Sequence, residues 1–185
     1  MTMMNQDMQK VLFSEEEIAQ ANHNLAQQLM TDYAGKNPLF VCILKGAIVF
    51  LTDLMRQLPQ SAEIDFMDVS SYNGQTSSSG QVRILKDLDV SVKGRDVVFV
   101  EDIIDTGITL KELTQLFKSR QAKSIKIVAL LDKEANRQQN VHVDYVGLSC
   151  PDEFVVGYGM DYQECYRNLP YIGVLKPEVY SKAEY

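Results

Sequence analysis

Two spacings of apolar residues alternate along the chain. Unbroken apolar runs occur at Leu39–Leu44 (LFVCIL), Val97–Val100 (VVFV) and within Ser124–Leu131 (SIKIVALL). Such runs suit strands buried on both faces of a parallel sheet. Between them, apolar positions three and four apart mark helices: Ile18, Leu25 and Leu29 in one, and Leu110, Leu113, Leu116 and Phe117 in another. Ser14-Glu15-Glu16-Glu17 reads as a capping box opening the first helix, and Gly35 ends it. A helix from about Ala47 to Leu58 stops at Pro59. Ile64–Ser71, of mixed polarity, predicts a partly exposed strand, with Val82–Leu85 returning beside it. Tyr145–Leu148 reads as a further strand, Tyr171–Val174 and a polar tail close the fold, and the polar, methionine-rich residues 1–12 read as a loosely held arm. Strands alternating with helices predict an α/β domain built on a mostly parallel sheet flanked by helices.

Composition narrows the class without naming a function. A length of 185 residues suits one domain, 1–185, with a full core. A net charge of −7 argues against a general binder of nucleic acid or membrane surfaces. It leaves anionic small molecules open, because local N–H groups and a few cations decide their binding. Cys42, Cys150 and Cys165 form no metal-ligand spacing, and an odd count does not suggest a disulfide framework. No apolar leader and no run of membrane-spanning length occurs, so a cytoplasmic protein is expected. No Gly-x-x-x-x-Gly-Lys-Ser/Thr loop is present, and neither histidine lies in a nucleophile context.

The candidate chemistry concentrates in Val97–Leu110, VVFVEDIIDTGITL. A buried strand runs into Glu101 and Asp102, then Asp105-Thr106-Gly107-Ile108-Thr109, then a helix. This is the edge at which an open α/β sheet binds its ligand. N–H groups at the helix start, the Thr106 and Thr109 hydroxyls and a closely approaching Gly107 suit a phosphate. Glu101 and Asp102 would repel that phosphate, and suit instead hydroxyl donors or Mg²⁺. Phosphate at one end and a diol at the other describe a ribose 5-phosphate.

That string resembles the ribose-phosphate signature of type I phosphoribosyltransferases, and the rest of the chain resembles the hypoxanthine-guanine branch. The resemblance implies the type I fold with a small hood of terminal segments. It implies transfer of ribose 5-phosphate from phosphoribosyl pyrophosphate to N9 of hypoxanthine or guanine, with Mg²⁺ as cofactor. By resemblance Asp105 is the general base near N7 of the purine, and Glu101, Asp102 and the loop Asp105–Thr109 bind the ribose phosphate. Lys45 and Gly46, in a Leu-Lys-Gly loop that in the family often holds a non-proline cis peptide, would bind the pyrophosphate with Arg167. Alone, these residues read as a turn with an exposed lysine and a surface charge. Lys133, Phe154, Val155 and Asp161 would meet the purine: Lys133 at O6, Phe154 by stacking, Val155 through its backbone. Glu101, Asp102 and Asp161 would hold the metal. Residues 70–81 (SSYNGQTSSSGQ) would form a mobile lid carrying the family's Ser71-Tyr72 pair. The family also implies a homodimer or homotetramer. A regulator that binds the donor without chemistry, and an enzyme for a pyrimidine, are the alternatives; the second leaves the Lys133 and Phe154 matches unexplained.

Overall fold

The computed structural model describes residues 6–71 and 82–181. The body is a six-stranded sheet of β2 (Leu39–Leu44), β3 (Glu63–Ser71), β4 (Val82–Lys86), β5 (Asp96–Ile104), β6 (Ser124–Asp132) and β7 (Tyr145–Ser149). Its order is β4-β3-β2-β5-β6-β7, and every pairing is parallel except β3 with β4. The long apolar runs therefore occupy the middle of the sheet.

Strand alternation divides those runs between two cores. Phe40 and Cys42 of β2, Val98 and Val100 of β5, and Val128 of β6 face helices α1 (Glu15–Asp32) and α2 (Ile48–Gln57). Leu39, Val41, Val97, Phe99 and Ile127 face helix α3 (Ile108–Ser119), where Phe99 meets Phe117 edge to face at 4.7 Å between ring centroids. An apolar residue at every position of a strand is what two covered faces require. The capping box of α1 forms as expected: Ser14 Oγ accepts from Glu17 N–H at 3.2 Å, and Ser14 N–H donates to Glu17 Oε2 at 2.8 Å.

The hood is a second, three-stranded antiparallel sheet in the order β1-β9-β8, from β1 (Met8–Phe13), β8 (Val155–Val156) and β9 (Ile172–Leu175). This corrects the expectation of a loose N-terminal arm. Met8–Phe13 is a strand, tied down because its backbone pairs with Ile172–Leu175. A short helix, α4 (Pro177–Tyr180), follows β9. The expected lid lies almost wholly outside the described residues, Tyr72 included. Ser71 closes β3, and its side chain is not described. Among the described residues no helix is long and apolar enough to cross a membrane.

Candidate active site

A cleft of about 330 Å³ opens where the C-terminal ends of β2, β5 and β6 meet the hood. The sheet supplies Lys45 and Gly46 after β2, Asp102, Ile103 and Asp105 in and after β5, and Lys133 after β6. The hood side supplies Glu153, Phe154, Val155, Met160, Asp161 and Arg167. Residues spread over more than 120 positions of sequence thus converge on one hollow.

At the β5 corner the chain leaves the sheet through Asp105 and Thr106 and enters α3 at Gly107, whose φ of 76° lies in the left-handed region. Gly107 offers no side-chain cap, and at the start of α3 the Ile108 N–H donates to Thr106 Oγ1 at 3.4 Å. Helix-start donors of this kind bind anions. Thr106, Gly107, Ile108 and Thr109 form this loop and are not on the wall of the cleft. Asp105 is exposed on that wall, and among the described residues its carboxylate has no hydrogen-bond partner. Its carbonyl oxygen accepts from Arg137 Nε at 3.1 Å.

The two acids that precede it differ in placement. Asp102 lines the cleft, with Oδ1 accepting from the N–H of Ile103 at 2.9 Å. Burial raises its pKa to about 6, against the opposing pull of those N–H bonds and of Arg167. Glu101 does not line the cleft; it is 9% exposed, and burial together with the charge of Asp102 holds its pKa well above the usual carboxylate value. Cys42 lies close enough to feel both acids, and burial pushes its thiol up to about 12, so it behaves as a core residue.

At the β2 corner the Leu44-Lys45 peptide is cis. Gly46 and Gly159 interlock across the cleft floor. A Cβ on Gly159, whose φ is 102°, would overlap the Gly46 carbonyl, and a Cβ on Gly46 would overlap the Asp102 carboxylate. The Gly157-x-Gly159 pair therefore permits close backbone approach. Gly159 also grips Arg167, its carbonyl accepting from Nη1 at 2.8 Å. Asp161 pairs with Arg167 Nη2 at 2.8 Å.

The opposite end holds Lys133 and Phe154. Lys133 is 9% exposed; its Nζ donates to the Glu153 carbonyl at 3.1 Å and pairs with Asp152 at 2.9 Å. Phe154 is 43% exposed although it stacks on Tyr180 at 5.3 Å and meets Tyr162 edge-on at 5.7 Å. A large aromatic left open in a cleft is a platform for a flat ligand. Val155 lines the cleft from β8, and Leu175 N–H bonds the Phe154 carbonyl at 3.2 Å.

Several contributors went unseen in the sequence. Arg137 fastens the loop from behind: besides the Asp105 carbonyl it holds the Val141 carbonyl at 3.2 Å and the Asp132 carboxylate. Tyr158 anchors the Gly157–Gly159 turn to both helices, donating to Asp53 of α2 at 2.7 Å and accepting from Asn22 of α1 at 2.8 Å. Glu164 bridges Lys45 and Arg167. None of these sits in a recognisable motif; Glu164 and Arg137 read as ordinary surface charges.

The oxygen donors of the cleft fit a hard cation. Asp102 and Asp161 both line it. Among the described residues no three His, Cys, Asp or Glu side chains gather tightly enough to cage a metal alone. Mg²⁺ is commonly held by one or two carboxylates plus substrate phosphates, and this donor set matches that habit.

Comparison with known proteins agrees with the geometry. Residues 8–163 match the phosphoribosyl transferase domain. The chain is 54% identical over 180 residues to the hypoxanthine-guanine phosphoribosyltransferase of Streptococcus thermophilus, covering 97% of this chain and all of that one. It is 57% identical over 179 residues to the bifunctional protein TilS/HprT of Listeria monocytogenes, covering 97% of this chain but only 28% of that protein's length. A crystal structure of a hypoxanthine phosphoribosyltransferase from Staphylococcus aureus superimposes with a TM-score of 0.93 at 51% identity, covering 97% of each chain.

Proposed function

The chain belongs to the phosphoribosyl transferase family, and on that premise we propose that it transfers ribose 5-phosphate from phosphoribosyl pyrophosphate to N9 of hypoxanthine or guanine. The C1′–oxygen bond to pyrophosphate breaks, the C1′–N9 bond forms, and the purine proton passes to Asp105. The observation that carries this reading is the sharing of one cleft. Lys133 and Phe154, fit for an oxopurine, face the same hollow as Lys45, Arg167 and Asp105, at the entry to the loop fit for a phosphorylated sugar. A donor-binding regulator would have no use for the first pair.

Each residue has a stated task. N–H groups of the loop from Asp105 to Thr109 hold the 5′-phosphate at the open start of α3. Asp102 binds a ribose hydroxyl from the cleft wall, with Glu101 supporting the same diol from beneath it. Lys45, Gly46 and Arg167 hold the pyrophosphate. Lys133 donates to O6, Phe154 stacks on the base, and the Val155 backbone meets its edge. Asp102 and Asp161, together with the pyrophosphate, would hold Mg²⁺, which would supply charge neutralisation for the leaving group. The Ser71-Tyr72 lid belongs to the same proposal, as do a homodimer or homotetramer and a cytoplasmic location.

Product analysis tests the reaction class. Incubation with phosphoribosyl pyrophosphate, Mg²⁺ and hypoxanthine is expected to release inosine monophosphate and pyrophosphate one for one, and chelation of Mg²⁺ to stop it. Nucleotide formed without pyrophosphate, or none formed at all, would contradict the proposal.

A further inference from the structure

The two side chains assigned to the pyrophosphate are already joined by an acid of the same chain. Glu164 Oε1 accepts from Lys45 Nζ at 2.9 Å. Glu164 Oε2 lies 3.2 Å from Arg167 Nη2 and 3.4 Å from Arg167 Nε. One carboxylate thus does what two oxygens of a phosphate group do, drawing an ammonium and a guanidinium onto a single anion. Its backbone is fixed as well, because Glu164 N–H donates to Asp161 Oδ2 at 2.8 Å. The turn that carries it holds Gln163, Glu164 and Tyr166 at φ of 52°, 61° and 74°. Three non-glycine residues in the left-handed region within four positions form an unfavourable backbone, retained here around this contact.

The bridge is also weak enough to open. The Lys45 and Glu164 side chains are 61% and 65% exposed, and exposed ion pairs contribute little. The geometry points to Glu164 as an internal stand-in for pyrophosphate: it keeps Lys45 and Arg167 converged until the donor arrives, then yields them to a more highly charged anion. This rests on the reading of Lys45 and Arg167 as the pyrophosphate subsite. Its consequence is an entry cost: any anion must displace a tethered carboxylate, and an anion as highly charged as pyrophosphate offsets that cost.

Calorimetric titration of pyrophosphate with Mg²⁺, and separately of inorganic phosphate, tests this in the full chain and in Glu164→Gln. Glutamine keeps the shape and removes the charge. The variant is expected to bind pyrophosphate about 3- to 10-fold tighter, in keeping with the loss of one exposed and one partly covered ion pair. Phosphate should gain by a similar factor, since it displaces the same carboxylate, and KM for the donor should fall while kcat does not rise. In a Lys45→Met background the same substitution should gain less, since half of the bridge is gone. Equal or weaker pyrophosphate binding by Glu164→Gln, or the same gain in both backgrounds, overturns the role given to Glu164. Failure of the unaltered chain to bind pyrophosphate removes the subsite itself, and with it this proposal and the reading beneath it.

Discussion

Asparagine at position 105 is expected to slow turnover by about 10²–10⁴-fold, the usual worth of a general acid–base group, while leaving the fold intact. The substitution changes almost nothing but basicity. Asp105 is exposed on the cleft wall, and among the described residues its carboxylate makes no hydrogen bond that asparagine would break. What fixes the residue is its backbone, through Arg137 on its carbonyl oxygen and the entry to α3 two residues later. The ring proton of the purine then has no acceptor, and attack by N9 must proceed against a protonated ring. The readout is kcat under saturating donor and base, with a thermal melt alongside to show that the fold is kept. Turnover within a few-fold of the unaltered chain would remove Asp105 from this role.

Lys133→Met is expected to lower kcat/KM for hypoxanthine by about 10- to 100-fold, the size of a lost hydrogen bond from a charged donor. It should also erode the preference for hypoxanthine over adenine. An ammonium carries three donors and no acceptor. Two of the three are engaged with the Glu153 carbonyl and Asp152, which aim the group and leave one donor for a ligand. A 6-oxo group accepts from it, whereas a 6-amino group presents a donor to a donor and leaves both unpaired. Methionine preserves the stem and removes that discrimination. Some loss of stability should accompany it, because the Glu153 carbonyl loses its partner. An unchanged ratio of hypoxanthine to adenine turnover would show that Lys133 does not read O6.

How much of this was visible in the sequence depends on how local each signal is. Strands β2, β5 and β6 announced themselves because a strand covered on both faces carries an apolar residue at nearly every position. The capping box of α1 needs four adjacent residues and formed as read. β1 was missed for the opposite reason. Between Met8 and Phe13 neither period appears, since Gln9, Lys10 and Val11 are exposed in succession, Val11 at 54%, and the strand exists because β9 pairs with it. The loop from Asp105 to Thr109 was legible as a continuous string whose residue types all serve one ligand. Lys45, Lys133, Phe154, Asp161 and Arg167 were reached only through the family resemblance, since singly each looks like an ordinary charge or core residue, yet all five face the cleft. Glu101 is the residue whose placement differs most from its expected use, because strand alternation turns it under the sheet edge while Asp102 faces the hollow. Arg137, Tyr158 and Glu164 act through partners 32, 105 and 119 residues away, and no local pattern encodes such contacts.

The most direct test of the central claim is a four-base comparison. Hypoxanthine, guanine, xanthine and adenine are offered separately with phosphoribosyl pyrophosphate and Mg²⁺, and kcat/KM is measured for each by absorbance. Turnover of 6-oxopurines with adenine far below them is the predicted result. Adenine turned over as well as hypoxanthine, or no purine turned over by a chain that still binds the donor, would contradict it.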